Sequence, residues 1–516
     1  MDAIDLSIFS NRIDAICEEM GVVLRRTAFS PNIMDRLDFS CAIFDAEGQL
    51  CAQAAHIPVH LGSMAYAMAS IVSKQQWQPG DMVILNDPFL GGTHLPDVTL
   101  IAPLFVGDRL CAFVVNRAHH ADIGAESPGS MPLSGELSEE GLIIPPTYLL
   151  RENRIDEDVL AGITGQTRQA GQARGDFIAQ ISANRIGIER LANLIGKMTA
   201  PVFHQALSEL NDYAERLSLS MLRTLPEGSY SATDYMDDDG LGHERIPIRV
   251  CVKVGHERVD VDFSGSAEQV AGNINCPLSV TAAAVFYVFR CLMPDYAPAS
   301  QGSFRPIHLT APPGTLVNAN RPAAVAAGNV ETSTRIVDVL LLALGKAIPD
   351  LIPAASHGSM NNLAMGSSLG ENSWDYYETI GGGMGASPDT DGLHAVQTHM
   401  TNTLNTPLEV LENRYPLRLR RYAIRQGSGG SGRYQGGDGI IREFEFMQPA
   451  EVTLLTERRL IAPWGLSGGK LASAGLNSLN GQRLAPKVSA HVNKGDVLTI
   501  ETPGGGGWGE PVNNDA

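Results

Sequence analysis

Two short clusters carry most of the chemistry this chain can offer: Thr93-His94-Leu95-Pro96-Asp97 and Ala118-His119-His120-Ala121-Asp122. Mixed imidazole and carboxylate donors of this kind suit a catalytic divalent ion, whereas a closed structural site usually recruits cysteines. Each cluster alone is weak, since a single His-x-x-Asp most often marks a hydrogen-bonded loop and a His-His pair often splits between core and surface. Their relation along the chain is what counts. Two apolar runs, Thr99–Phe105 and Leu110–Asn116, flank Val106-Gly107-Asp108-Arg109, the pattern of a β-hairpin turning at Gly107-Asp108. Such a hairpin sets the two clusters side by side at one sheet end. Successive side chains of an extended His119-His120 pair point to opposite faces, so one of the two joins His94 and Asp97. The reading selects His94, Asp97 and His120 as metal ligands, with Asp122 orienting or completing the set. His119, Asp35, His60 and Asp87 form a second tier.

The elements that must position these groups are visible in the hydrophobic pattern. Residues 4–26 place Ile4, Phe9, Ile13, Ile16, Met20, Val23 and Leu24 at helical spacing. Phe39–Phe44 and Leu50–Gln53 read as strands around Asp45-Ala46-Glu47-Gly48. Asp35, Arg36 and Asp38 precede that second hairpin, and His56 and His60 follow it. Either these residues wall the same cleft, or Asp35 and Asp38 end elements while His60 packs beneath a helix over 61–75. Met82–Leu85 reads as a buried strand delivering Asn86-Asp87-Pro88, where Asp87 is by default a turn former. Glu126 is a further loop carboxylate, able to act as general acid or base.

Two long helical patterns follow at 174–198 and 201–225. The texture then turns to β, with Ile246–Val254 and Arg258–Phe263 reading as a hairpin and the acidic tract Asp234–Asp239 as a solvated turn. Ala282–Cys291 and Glu331–Leu344 read as helices, Glu451–Arg459 and Leu498–Glu501 as strands. Glycine runs at 378–386, 425–439 and 502–511 lack the Lys-Ser/Thr of a phosphate-binding loop, so they are tight turns or backbone packed against another protomer. The expected fold is mixed α/β (α+β), multi-layer and loop-rich, with mixed or antiparallel sheets and covering helices. Three regions are expected: 1–225 with the metal site, 226–350 β-rich then helical, and 351–516 glycine-rich with β-structure.

The 516 residues are 44% hydrophobic and 18% charged, ordinary globular values. A net charge of −19 opposes nucleic-acid binding. The seven cysteines lack CxxC spacing and read as reduced thiols. The acidic, amphipathic start is unlike a secretory signal, and no apolar run reaches membrane-spanning length, so a cytoplasmic protein is expected.

RLDFSCAIFD, HIPVHLGSM, NDPFLGGTHLPDVTL, AHHADIG, SPGS, GDFIAQISANRIGIERL, AGNVETSTRIVDVLL and TPGGGGWGEP together resemble the hydantoinase B/oxoprolinase family. That family is similar in turn to the B-type components of caprolactamases and to the carboxylase components acting on acetone and acetophenone. The resemblance implies a B-type, metal-carrying subunit of a hetero-oligomer built on dimers. Its A-type partner binds ATP on an actin-like fold and phosphorylates the substrate oxygen. It also implies metal ligands within the His-x-x-Asp and His-His motifs, here His94, Asp97 and His120. Asp35 stands where many relatives carry a glutamate. The expected reaction opens a hydantoin, 5-oxoproline or lactam ring by attack of metal-activated water, with Asp38 or Glu126 moving protons. The His/Asp set suits Zn, Mn or Fe alike. A component of a ketone carboxylase and a non-catalytic scaffold for the ATPase are the rival readings.

Overall fold

Helix α1 (Ala3–Thr27) starts where the Asp2 carboxylate accepts the Asp5 amide, and it buries Phe9, Ile13, Cys17, Met20 and Leu24 along one stripe. That stripe lies on an antiparallel sheet of β1 (Phe39–Asp45), β2 (Leu50–Ala55), β3 (Met82–Leu85), β4 (Asp97–Val106), β5 (Arg109–His119), β6 (Thr147–Arg151) and β7 (Arg154–Ile155). The spatial order is β2-β1-β5-β4-β3-β6-β7. In this computed structural model the described residues are 1–55, 57–367 and 373–511, and His56 lies outside them. Helix α2 (His60–Ile71) covers one face of the sheet; α3 (Ala170–Met198) and the start of α4 (Ala200–Leu222) join α1 on the other. With both faces covered, the central strands read as continuous apolar runs. The expected hairpin is β4–β5, closed by Val106 opposite Arg109, with Gly107 at φ +60°.

A second, four-stranded sheet contains β8 (Gly228–Asp238), β9 (Glu244–Val254), β10 (Val259–Asp262) and, after α5 (Leu278–Cys291), β11 (Ile307–Thr310), in the order β11-β10-β9-β8. Helix α6 (Ser333–Leu344) packs with α5 against it, and their core takes in Ile57 and Val59 from the first region and Tyr377 from the third. The acidic tract is not the solvated turn expected. Asp234 and Asp237 lie buried in β8, Asp234 paired with Arg458 at 2.7 Å and Asp237 accepting the amides of Arg459, Leu460 and Ile461. Their cations lie far along the chain, so local sequence does not show that the charges are neutralised.

The last region is a sandwich of two sheets. One is β12 (Asn362–Ser367), β13 (Trp374–Glu378), β16 (Ala450–Leu455) and β19 (Lys487–Val492), in the order β13-β12-β16-β19. The other is β14 (Leu417–Arg425), β15 (Gly439–Phe446), β17 (Leu476–Leu479), β18 (Gln482–Arg483) and β20 (Val497–Glu501), in the order β14-β15-β20-β17-β18. Beside the sandwich the three glycine runs meet one another. Gly505 donates to Gly437 and accepts from Gly430, Gly506 donates to Ala355, Gly507 to Lys470, and Gly437 to Met384. Backbone thus packs on backbone, and a methyl group on Gly505 would sit 2.0 Å from the Met384 carbonyl oxygen. Among the described residues, no helix is long and apolar enough to cross a membrane.

Gly505→Ala is expected to cost more than about 4 kcal/mol, since the obstacle is main chain that cannot step aside. Chemical denaturation of that variant, beside Gly196→Ala on the exposed side of α3 with nothing within 4 Å, measures the difference.

Candidate metal centre

The register of the central hairpin decides which groups meet. Asp97 pairs directly with His119 across the β4–β5 ladder, so both side chains leave the same face. Three amino acids before Asp97, His94 returns on the loop that opens β4. His94 Nε2, Asp97 Oδ1 and His119 Nδ1 form a triangle with sides of 3.2, 3.2 and 3.3 Å. The alternation of the two histidines holds, but His119 rather than the expected His120 joins the triangle. His120 points through the sheet to α3, where its ring stacks on Phe177 and its Nε2 meets Gln180 Oε1 at 3.0 Å. Gln180 and Asn184, one helical turn apart, bond Val98 O, Leu100 O and Asn116. His120 therefore belongs to the polar contact that fastens helix to sheet.

Each member of the triangle is held from outside. His94 Nδ1 lies 3.2 Å from the Ala326 carbonyl, which fixes that nitrogen as the N–H donor and leaves Nε2 a lone pair. Asp97 Oδ2 accepts from Thr93 and from Asn329 Nδ2 at 3.3 Å, and His60 Nε2 is 3.4 Å away. His60 is anchored in turn by Ser40 at 3.0 Å. His119 stacks on Tyr377, ring centres 4.7 Å apart, and the Tyr377 hydroxyl donates to Asn362. The loop carrying His94 is braced by Asn86, whose amide bonds Leu95 O and Leu142 O, and by Arg117, which reaches Ser63 and Gly91 O. At Gly91, φ is +95° and a Cβ would stand 2.2 Å from the Ala67 nitrogen, so only glycine fits.

These donors fit a divalent ion. Nitrogen and oxygen ligands about 2.1 Å from one cation at open angles stand about 3 to 3.5 Å apart, the spacing found here. His94, Asp97 and His119 are buried, and Asp97 Oδ1 and His119 Nε2 have no hydrogen-bond partner among the described residues. Burial opposes charge on Asp97, yet the imidazoles of His94, His119 and His60 hold its carboxyl well below the usual carboxylate range. Burial likewise opposes the His94 cation, but Asp97 outweighs it and raises that group, whereas in His60 burial wins and lowers it. The cavity beside the triangle measures about 20 Å³, room for a single water, and is walled by Asp38, Ile57, Val59, Asn329, Met360, Tyr377 and Thr379 among others.

Of the remaining candidates, Asp38 borders the cavity with an oxygen 4.0 Å from His119 Nδ1, and His60 touches Asp97. The structure does not bring the others there. Asp122 ties down its own loop through Gly124 N, Ser130 and the Arg168 amide, and Glu126 is exposed. Asp87 caps the turn at Pro88–Leu90 and pairs with Arg321. Asp35 ends the short helix Pro31–Met34. Asn329, Met360, Tyr377 and Thr379 escape sequence reasoning, because they reach the site from more than two hundred residues away. One local signal is present: Gly328-Asn329 opens the GNVETST run, and it adopts a π-helical turn, Gly328–Thr332, of a kind frequent at functional sites.

Asp122 and Asp375 share Arg168 at 3.4 and 3.5 Å, and burial together with Asp122 raises the Asp375 carboxyl from 3.8 to about 7. Between those two values the folded chain keeps a proton that the unfolded chain releases. The stability from this group is therefore fully present below 3.8 and is lost as pH rises through about 7. Asp375→Asn is expected to melt near the wild type at pH 4 and above it at pH 8, as thermal unfolding across pH measures.

A model of the family described as hydantoinase B/oxoprolinase matches residues 2–511. An uncharacterized protein of Methanocaldococcus jannaschii is 40% identical over 100% of this chain and 92% of its own length. A 5-oxoprolinase of Dictyostelium discoideum is 39% identical over 99% of this chain but 40% of its own length, so the chain spans about two fifths of that relative. A protein of a Pseudomonas strain, named as one component of a D-/L-hydantoinase, is 30% identical, covering 100% of this chain and 91% of the other. Among solved structures, the ATP-dependent caprolactamase of Pseudomonas jessenii superposes with a TM-score of 0.91 at 27% identity, over 99% of this chain and 91% of that one. Acetone carboxylase superposes at 0.90 with 16% identity, over 100% of this chain and 76% of the other, a likeness of fold. The chain belongs to the hydantoinase B/oxoprolinase family.

Proposed function

We propose that this chain is the metal-carrying component of an ATP-dependent enzyme that opens a cyclic amide. The observation that carries the proposal is the buried triangle of His94 Nε2, Asp97 Oδ1 and His119 Nδ1, with Asp97 Oδ1 unpartnered among the described residues, beside a water-sized cavity. The relatives' names supply the substrate class: 5-oxoprolinase, hydantoinase and caprolactamase all denote rings closed through a C–N bond. ATP use falls to a partner. This chain carries no phosphate-binding loop, and it corresponds to about two fifths of the 5-oxoprolinases, leaving the rest of those proteins for an A-type ATPase.

A cyclic amide resists water because nitrogen lone-pair donation stabilises its carbonyl, and phosphorylation of the oxygen by the partner removes that protection. A divalent ion (Zn, Mn or Fe) held by His94, Asp97 and His119 would supply Lewis acidity and make water more acidic. The chain's own groups do the rest. His60, Thr93 and Asn329 hold Asp97 in place, and Tyr377 fixes the plane of His119. Asp38 takes a proton of the attacking water and returns it to the ring nitrogen as the C–N bond breaks, leaving an acyl phosphate that a second water hydrolyses to the carboxylate and inorganic phosphate. Ile57, Val59, Val330 and Met360 exclude bulk water from the reacting carbon.

His94→Ala, Asp97→Ala and His119→Ala are each expected to weaken metal binding at least about 100-fold, beyond the ~10- to 100-fold cost of outer-sphere changes, whereas His120→Ala keeps the metal. Elemental analysis after chelator competition reads the outcome; loss of metal from His120→Ala alone would reverse the ligand assignment. The complex with its ATPase is expected to hydrolyse ATP when given 5-oxoproline, N-methylhydantoin or caprolactam. ATP consumption only with a ketone plus bicarbonate would refute the hydrolase reading.

A further inference from the structure

Asn329 faces the cavity from the π-helical turn and is 3% exposed. Its Nδ2 is 3.3 Å from Asp97 Oδ2, and this contact fixes the amide's orientation, because a flipped side chain would set two acceptor oxygens against each other. Its Oδ1 is then a buried acceptor without a partner among the described residues. Apart from the Asp38 carboxylate, assigned to proton transfer, the Asp97 oxygen assigned to the ion, and Thr401, the neighbouring wall offers no free acceptor for a ring N–H. The Tyr377 hydroxyl donates to Asn362, Thr379 Oγ1 is engaged by Thr403 and Arg36, and both His60 nitrogens have contacts. Ile57, Val59, Val330 and Met360 are apolar.

The turn bearing Asn329 is rigid for reasons that have nothing to do with the cavity. Ser333 Oγ donates to Asn329 O, Thr332 Oγ1 to Ile274 O, and Gly328 N to Asn273 O. Glu331 Oε1 accepts from Met360 N and from Asn362. At Gly328 a Cβ would meet the Asn275 carbonyl at 1.8 Å, so this backbone has no other residue open to it. An acceptor is thus held in place beside the proposed ion site, in a space sized for one water or one polar group of a ligand.

We propose that Asn329 is a specificity-determining residue whose Oδ1 accepts a hydrogen bond from the ring N–H of the cyclic amide. This rests on the hydrolase reading and adds to it the feature by which an amide ring is told from a lactone or a ketone, neither of which has a proton to give. After phosphorylation of the ring oxygen, the same contact favours the N-protonated form, whose carbon is the more electrophilic.

The test compares 2-pyrrolidinone with γ-butyrolactone, rings that differ by N–H against O, on the metal-loaded complex with its ATPase partner. Binding is followed by calorimetry and ring opening by product analysis, in the wild type, Asn329→Leu and Asn329→Ser. Both rings share whatever is lost with the Asn329–Asp97 bond, so the expected result is that the lactam-over-lactone ratio falls about 10- to 100-fold in Asn329→Leu, compared at equal metal content. A purely supporting role toward Asp97 predicts equal losses for both rings, and that result would overturn the inference while leaving the hydrolase reading intact. Asn329→Ser is too short to reach either Asp97 or the ring, and it removes both contacts without the bulk of leucine. It is expected to lose the same selectivity, and it carries the test if the leucine variant does not fold. A wild-type complex that neither binds nor opens any amide ring sinks the hydrolase reading and this inference with it.

Discussion

One cross-strand pair governs the chemistry: Asp97 opposite His119 in the β4–β5 ladder. Side chains in a strand alternate, so a slip of one residue at the Gly107-Asp108 turn would exchange His119 for His120 and Thr99 for Val98 throughout the hairpin. The turn alone would set Ala118 opposite Asp97. A one-residue step in the ladder, where Phe105 pairs with Leu110 but Leu104 with Ala112, brings His119 there. The double-sided burial of both strands holds that register, because each face must match its own helices. The register is therefore enforced by the whole first region rather than by the ligands.

From this pair the site extends outward in stages of increasing sequence distance. His94 and Thr93 come from the same loop, Asp38 and His60 from the flanks of the neighbouring hairpin, and Asn329, Met360 and Tyr377 from the other two regions. The nearer stages are legible in the sequence. Residue types and spacing show the hairpin, its turn and the convergence of the two clusters, and leave open whether His60 walls the cleft or packs beneath its helix. They point to His120 instead of His119 because alternation says that one of two histidines joins, while only the ladder says which. The farther stages leave little local trace. Asn329 sits in what reads as the start of a helix, and Tyr377 in an aromatic strand indistinguishable from core.

The same division holds for the fold. Strands and helices with strong periodicity lie close to where the pattern places them, as in Met82–Leu85 and in α3 and α4. Charge is the poor guide. Asp234 and Asp237 look hydrated in a tract of acids, yet their partners Arg458 and Arg459 arrive from the far side of the chain and convert a surface signal into buried polar contacts. Hydrophobic burial is decided by neighbours a few residues apart, whereas neutralisation is decided by tertiary contact.

The glycine cluster carries a consequence for biosynthesis. Residues 504–507 sit amid the segments they bond, which come from around residues 355, 384, 430 and 470. Every one of those segments leaves the ribosome earlier, with its amides and carbonyls still turned toward water. The third region can close only after the four glycines have emerged and taken their places between main chains made before them. Since Tyr377 of that region walls the cavity, the ion site is completed only after glycines far along the chain from it have been made.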